Sequence, residues 1–166
     1  MNIKIRRTSR AIILNTKNQI LLIRINDKPL QDKSNRDQPS FWVTVGGEVE
    51  ENESVEDALQ RELREEVGIF NPAEFELIAF GEQILPWKGL STRFIEKFYI
   101  VRTDEINLDS RNLTHDELKV IGEYRWWSID ELLNTTEVVF PGCLAKLMND
   151  YINSSDQWVA QEITLD

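Results

Sequence analysis

Glu62, Glu65 and Glu66 stand at positions i, i+3 and i+4 of a stretch whose apolar residues recur at helical spacing. Residues three and four apart on a helix are surface neighbours, so this spacing gathers three carboxylates on one patch. Like charges so placed weaken an isolated helix by roughly 0.2–0.5 kcal/mol per pair. A hard divalent cation reverses that penalty, because carboxylate oxygens are the ligands that Mg2+ and Mn2+ prefer. Glu62 and Glu66 can chelate one ion, while Glu65 can hold a second or take a proton from metal-bound water. Carboxylates and a metal together suit phosphoryl or nucleotidyl transfer, which needs positioning and charge neutralisation more than a covalent nucleophile. Other chemistries find little support. The chain has one cysteine, Cys143, and one histidine, His115, with no Cys/His zinc cluster and no Walker-type phosphate loop.

The elements that must position this patch can be read around it. Val55, Leu59, Leu63 and Val67 recur every four residues and form an apolar stripe beside the carboxylates. Ser54, with Asp57 three residues on, is the expected N-cap, and Gly68 the expected C-cap. Phe41 to Val45 reads as a short strand running into Gly46-Gly47, a tight turn where the main chain can approach a ligand and the Gly46 carbonyl can join a metal shell. Upstream, Ile3 to Asn15 and Gln19 to Ile25 read as a hairpin about Thr16-Lys17-Asn18, and Asp27 to Ser40 as a polar surface loop. Downstream, Phe75 to Ile84, Thr92 to Val101 and Glu123 to Trp127 read as strands. Ser128 with Glu131 forms a capping box for a helix through about Asn134, and Pro141 to Ile152 is a further helical segment. Strands on both sides of a central helix, with a helix at the end, suggest an α/β fold: one mixed sheet with helices on both faces. With no internal repeat or linker, residues 1–166 are expected to form a single domain.

Residues 47–69 resemble the signature of the Nudix hydrolases, G-x5-E-x7-R-E-U-x-E-E-x-G-U with U a bulky aliphatic residue. Gly47, Glu53, Arg61, Glu62, Leu63, Glu65, Glu66, Gly68 and Ile69 meet it at every position. Such a match arises by chance in roughly fewer than one in a million chains of this length. The resemblance implies an α/β/α sandwich whose metal-binding box is a loop–helix–loop. It implies metal-dependent cleavage of a pyrophosphate bond in a nucleoside diphosphate linked to another moiety, with Mg2+ or Mn2+ as cofactor. It also implies that Arg61 pairs with Glu53 and fixes the loop against the helix. Relatives often carry proline before the glycine pair; Val45 stands there in this chain, which relaxes the φ restriction without removing a ligand. For the general base the choice lies among Glu65, Glu96 and Glu117. Glu96 shares a strand face with Phe94, Phe98 and Ile100, where a carboxylate is costly unless paired or functional. Thr114 and Glu117 form a ready capping box, which gives Glu117 a structural reading as well. His115 reads as a solvent-facing turn residue.

Charge narrows the partner. The net charge of −10 argues against a nucleic-acid polymer, whose phosphates call for clustered Lys and Arg, and favours a small nucleotide. Lys28, Arg36, Lys88 and Arg93 lie in or near loops and can meet phosphates, whereas Trp42, Phe80 and Trp87 can either stack on a base or fill the core. Of Trp126 and Trp127, at least one is expected inside. No apolar run approaches a membrane span, the basic start from Met1 to Arg10 lacks an apolar signal core, and a lone cysteine suits a reducing cytoplasm. The strand-rich N-terminal hairpin offers a surface for a homodimer. Two other readings remain open: a Nudix domain that senses a nucleotide without cleaving it, and a helix that serves as an acidic protein-binding face.

Overall fold

The computed structural model describes residues 3–26, 40–72, 74–87, 89–108 and 110–166. Of the polar loop expected over Asp27 to Ser40, all but Ser40 lies outside the described residues, as do the expected phosphate contacts Lys28, Arg36 and Lys88.

Two runs of the N-terminal hairpin are apolar at every position, and that pattern sets the architecture. In β1 (Lys4–Leu14), Ala11 and Ile13 face one side while Ile12 and Leu14 face the other; in β2 (Ile20–Ile25), Leu21 and Ile23 oppose Ile20 and Leu22. All eight side chains are buried. A strand buried on both faces must sit in mid-sheet with a layer on each side. The two strands are antiparallel, with Leu14 opposite Ile20 and Asn18 of the turn at φ 55°.

β6 (Leu90–Arg102) runs parallel to β1 along its whole length and in turn forms a long antiparallel hairpin with β5 (Glu76–Trp87). Both exceed the expected strands by a few residues at the turn end. The strand expected over Phe41 to Val45 is two strands. β3 (Phe41–Val43) pairs with β2, and after Thr44 the chain changes partner, so that β4 (Val45–Glu48) pairs with β1. Because β6 fills one edge of β1, both β2 and β4 must share the other edge. β7 (Ile121–Trp127) pairs with β2, β8 (Val138–Phe140) is parallel to β3, and β9 (Gln161–Glu162) is parallel to β5. The mixed sheet thus reads β8-β3-β2-β1-β6-β5-β9, with β4 and β7 added on β1 and β2.

α1 (Val55–Val67) covers one face. Ser54 caps it by accepting from the Asp57 N–H, Gly68 closes it at φ 66°, and Leu59, Leu63 and Val67 are fully buried against Ala11, Ile13, Leu21 and Ile23. Each such side chain contributes roughly 1.5–3 kcal/mol relative to exposure. On the opposite face lie α3 (Ile129–Asn134), with both halves of the Ser128–Glu131 capping box in place, and α4 (Leu144–Asn153). Their Leu132, Leu144, Leu147 and Met148 pack on Ile12, Leu22, Trp42, Phe98 and Trp127. α4 begins three residues later than the sequence suggested, because Pro141 and Gly142 precede its N-cap, Cys143. Trp127 lies in this core and Trp126 packs partly on the other, as strand alternation requires. α2 (His115–Val120) follows a single turn of 3-10 helix and leads directly into β7. The result is the α/β/α sandwich around a mixed sheet. Among the described residues no helix is long and apolar enough to cross a membrane.

Candidate active site

The pairing of β4 with β1 brings Gly46 opposite Arg10 and Gly47 opposite Ser9, just beneath the carboxylate face of α1. Gly46 has φ +135°, and a Cβ there would stand 2.1 Å from the Ser9 carbonyl oxygen. At Gly47 a Cβ would meet Glu62 Oε1 at 2.3 Å. Glycine is therefore required at Gly46 by backbone conformation, while at Gly47 any side chain would have to displace the Glu62 carboxylate.

Glu66 accepts a hydrogen bond from the Gly46 N–H at 2.8 Å, and the Tyr124 hydroxyl donates to the Glu66 carbonyl at 3.0 Å. Glu62 is buried, and its Oε1 accepts from Arg61 Nη1 at 2.8 Å. The third member of the cluster comes from α2. Ligand oxygens of Glu62, Glu66 and Glu117 lie within 4.8 Å of one another. Glu117 also completes the expected capping box: its side chain accepts from the Thr114 N–H while its own N–H donates to Thr114 Oγ1. The two readings of Glu117 are thus compatible, since one carboxylate has oxygens enough for both. His115 lies exposed in the first turn of the same helix.

Burial pushes the Glu66 carboxyl up to about 8, with the neighbouring Glu62 charge adding to the effect and the Gly46 N–H and Arg10 opposing it. Burial also raises Glu62, against the pull of Arg61. At neutral pH the Glu66 carboxyl so raised holds a proton unless a cation replaces it. A Mg2+ ion with ligands at about 2.1 Å needs its oxygens within roughly 4.2 Å of each other, so small side-chain adjustments bring these three into range. The donor set is all oxygen and anionic. It fits a hard divalent ion.

Arg61 holds the rest of the signature together. Its Nε and Nη2 donate to Glu53 Oε1 and Oε2 at 2.9 and 3.1 Å, Nη2 also reaches the Glu48 carbonyl at 3.0 Å, and Nη1 is 3.4 Å from Glu65 Oε2. Hydrogen bonding to Arg61 keeps the Glu53 carboxyl below the usual range. Glu65 lies outside the three-carboxylate cluster, with a side chain 34% exposed. Glu96 ion-pairs with Arg10 at 3.5 Å, and Arg10 Nη1 donates to the Gly46 carbonyl at 3.2 Å.

Arg10 and Glu96 also line a cleft of about 200 Å3 that opens between β1, β3 and the β5–β6 hairpin. Five of its wall residues are aromatic: Phe41, Trp87, Phe94, Phe98 and Phe140. Of the aromatics singled out in the sequence, Trp87 reaches this cleft, Trp42 is core and Phe80 is exposed. Arg93 is committed to Glu82, which it grips with both Nε and Nη2. The sequence reading did not find Arg6, Thr8 and Arg10 as lining residues. The available signal was their spacing of two on a strand, which sends all three to one face.

A family model described as NUDIX domain matches residues 4–147. Among curated proteins, an RNA pyrophosphohydrolase from Wolbachia pipientis is 28% identical over 109 residues. That match takes in 58% of this chain and spans 64% of the relative's own length. Among solved structures, a MutT NUDIX hydrolase from Burkholderia pseudomallei superposes with a TM-score of 0.61 at 22% identity, over 86% of this chain and 95% of that one. The E. coli dihydroneopterin triphosphate pyrophosphohydrolase gives 0.58 at 20% identity, over 92% and 100%. At these identities the structural likeness is one of fold.

Proposed function

From the premise that this chain belongs to the Nudix family, we propose that it is a metal-dependent pyrophosphohydrolase acting on a small nucleoside diphosphate derivative. The observation that carries the proposal is the convergence of Glu62, Glu66 and Glu117 within 4.8 Å beside an aromatic-walled cleft. The relatives' name supports pyrophosphate chemistry. The net charge of −10 favours a small nucleotide over an RNA chain as substrate.

In this reading Glu62, Glu66 and Glu117 hold Mg2+ or Mn2+, with the Gly46 carbonyl, which keeps a second lone pair beyond its bond from Arg10, as a further ligand. Bound there, such an ion would lower the pKa of a water and offset the charge of the diphosphate. Glu65 is the general base: its partly exposed carboxylate accepts the proton of the attacking water, and Arg61 orients it from 3.4 Å. Glu65 also remains a candidate second ligand. Arg61 and Glu53 are positioning residues, whose forked pair fixes the loop before α1 against the helix. Residues 1–166 act as one domain in the cytoplasm.

The test is a substrate panel of nucleotide sugars, dinucleoside polyphosphates and nucleoside triphosphates, with Mg2+ or Mn2+ and phosphate or nucleoside monophosphate as readout. Glu65→Gln and Glu66→Gln should each abolish turnover in a folded protein. Unchanged rates in both would remove the proposed roles, and nucleotide binding without product would make the protein a sensor.

A further inference from the structure

The cleft contains polar groups that the hydrolytic machinery does not use. Arg6, Thr8 and Arg10 alternate along β1 and face the cleft together. The strand register sets them in rows across three strands: Arg6 lies opposite Phe94, which lies opposite Gln83, and Thr8 lies opposite Glu96 in the next row. The Arg6 guanidinium sits over the rings of Trp87 and Phe94, at 5.2 and 5.8 Å from their centroids. Its buried Nε has no hydrogen-bond partner and stands 3.5 Å from Glu48. Thr8 is 3% exposed, and its hydroxyl is likewise unpartnered. An unpartnered buried hydroxyl carries a desolvation cost of about 1–3 kcal/mol, which a ligand aimed at Thr8 would offset.

Distance separates the two ends of the cleft. Arg10 touches the Gly46 carbonyl, and the Gly46 N–H holds Glu66, so this end adjoins the carboxylate cluster. Arg6 is four residues away on an extended strand, or roughly 13 Å. That is about the reach of a nucleoside diphosphate from its phosphates to the far edge of its base. A cleft of about 200 Å3 is also small against typical whole-ligand sites of roughly 300–1,000 Å3, so the base fills most of it while the phosphates reach out past Arg10. The aromatic walls offer faces on which any base can stack.

The donor pattern then discriminates among bases. A guanidinium offers donors and no acceptor, so what it reads must present acceptors. Guanine presents the adjacent O6 and N7 pair that arginine matches, whereas adenine places an amino donor beside N7. We propose that the Arg6–Phe94–Gln83 row is the base-recognition subsite of this cleft and that it selects a 6-oxopurine nucleotide over its adenine counterpart. Thr8 supplies a hydroxyl to the same base or its ribose. The inference rests on the nucleotide-hydrolase reading and extends it to the substrate's identity.

Calorimetry with the α,β-methylene analogues of guanosine and adenosine diphosphate, in Mg2+, tests it without turnover. The wild-type protein should bind the guanine analogue at least about tenfold more tightly, the lower range for a good bidentate base contact. In Arg6→Gln the ratio should fall to near one or invert, because an amide suits adenine. Gln83→Leu, at the other end of the row, should weaken the guanine analogue several-fold. Equal affinities in the wild type, a preference that survives Arg6→Gln, or no binding of either analogue overturns the inference. So does an unchanged guanine affinity in Gln83→Leu if Arg6→Gln does not fold. None of these outcomes bears on whether the panel yields product, so the two readings fail separately.

Discussion

The carboxylate of Glu62 lies directly against the backbone of Gly47, so close that a methyl group on that residue would stand 2.3 Å from Oε1. The glycine of the signature is therefore a spacer for the first acid of the cluster. Gly47→Ala should force Glu62 away from Glu66 and Glu117. A displacement on the order of 1 Å in such a constellation costs about 10²-fold in rate. The expected result is a loss of that size in kcat/KM, with a circular dichroism spectrum like that of the wild type.

Arg61 gives a stability prediction. Arg61→Ala removes hydrogen bonds to Glu53, Glu62, Glu65 and the Glu48 carbonyl. Hydrogen bonds to charged groups are worth roughly 1.5–3 kcal/mol, and the carboxylates left behind repel one another, so a loss of about 3 kcal/mol is expected in urea denaturation. The Glu53 carboxyl is depressed in the fold, so the unfolded chain binds the proton first and the stabilisation disappears as pH falls below about 4. Arg61→Ala should lose that part of the acid sensitivity.

The raised Glu66 carboxyl has the opposite sign. Between about 4.3, the unfolded value, and about 8 in the fold, the folded protein holds a proton that the unfolded chain has released. Without metal, the melting temperature should therefore fall as pH rises from 5 to 8. Added Mg2+ or Mn2+ replaces the proton and should stabilise the fold more at pH 8 than at pH 5. Thermal scans at several pH values, with chelator and with Mn2+, check both slopes.

Glu117 allows its two roles to be separated. Glutamine at the same place keeps the capping-box acceptor but removes the charge. Glu117→Gln should leave the metal-free melting temperature within about 1 °C of wild type while weakening Mn2+ binding at least about tenfold, or 1.4 kcal/mol. A large drop in metal-free melting temperature with unchanged Mn2+ affinity would confine Glu117 to capping.

Much of this was legible in sequence because local signals and tertiary demands agree. The stripe Val55, Leu59, Leu63 and Val67, with Ser54 and Gly68 at its ends, specifies α1 by itself, and the apolar runs of β1 and β2 announce a sheet covered on both sides. The signature residues were visible as a pattern for the same reason: most sit on one helix. What sequence could not display was anything set by pairing between distant strands. The split of Phe41 to Val45 into β3 and β4 depends on which edge of β1 was already filled by β6. Glu117 read most simply as a cap, since its approach to Glu62 and Glu66 is created by the docking of α2. The Arg6–Phe94–Gln83 row exists only through the register of three strands.

The third acid of the cluster has a further implication. It arrives on a six-residue helix encoded well after the signature, and that helix leads straight into β7, which pairs with β2. A nascent chain that has emerged only through α1 carries the recognisable motif but lacks Glu117. A chain that ends before α2 therefore cannot assemble the three-carboxylate cluster.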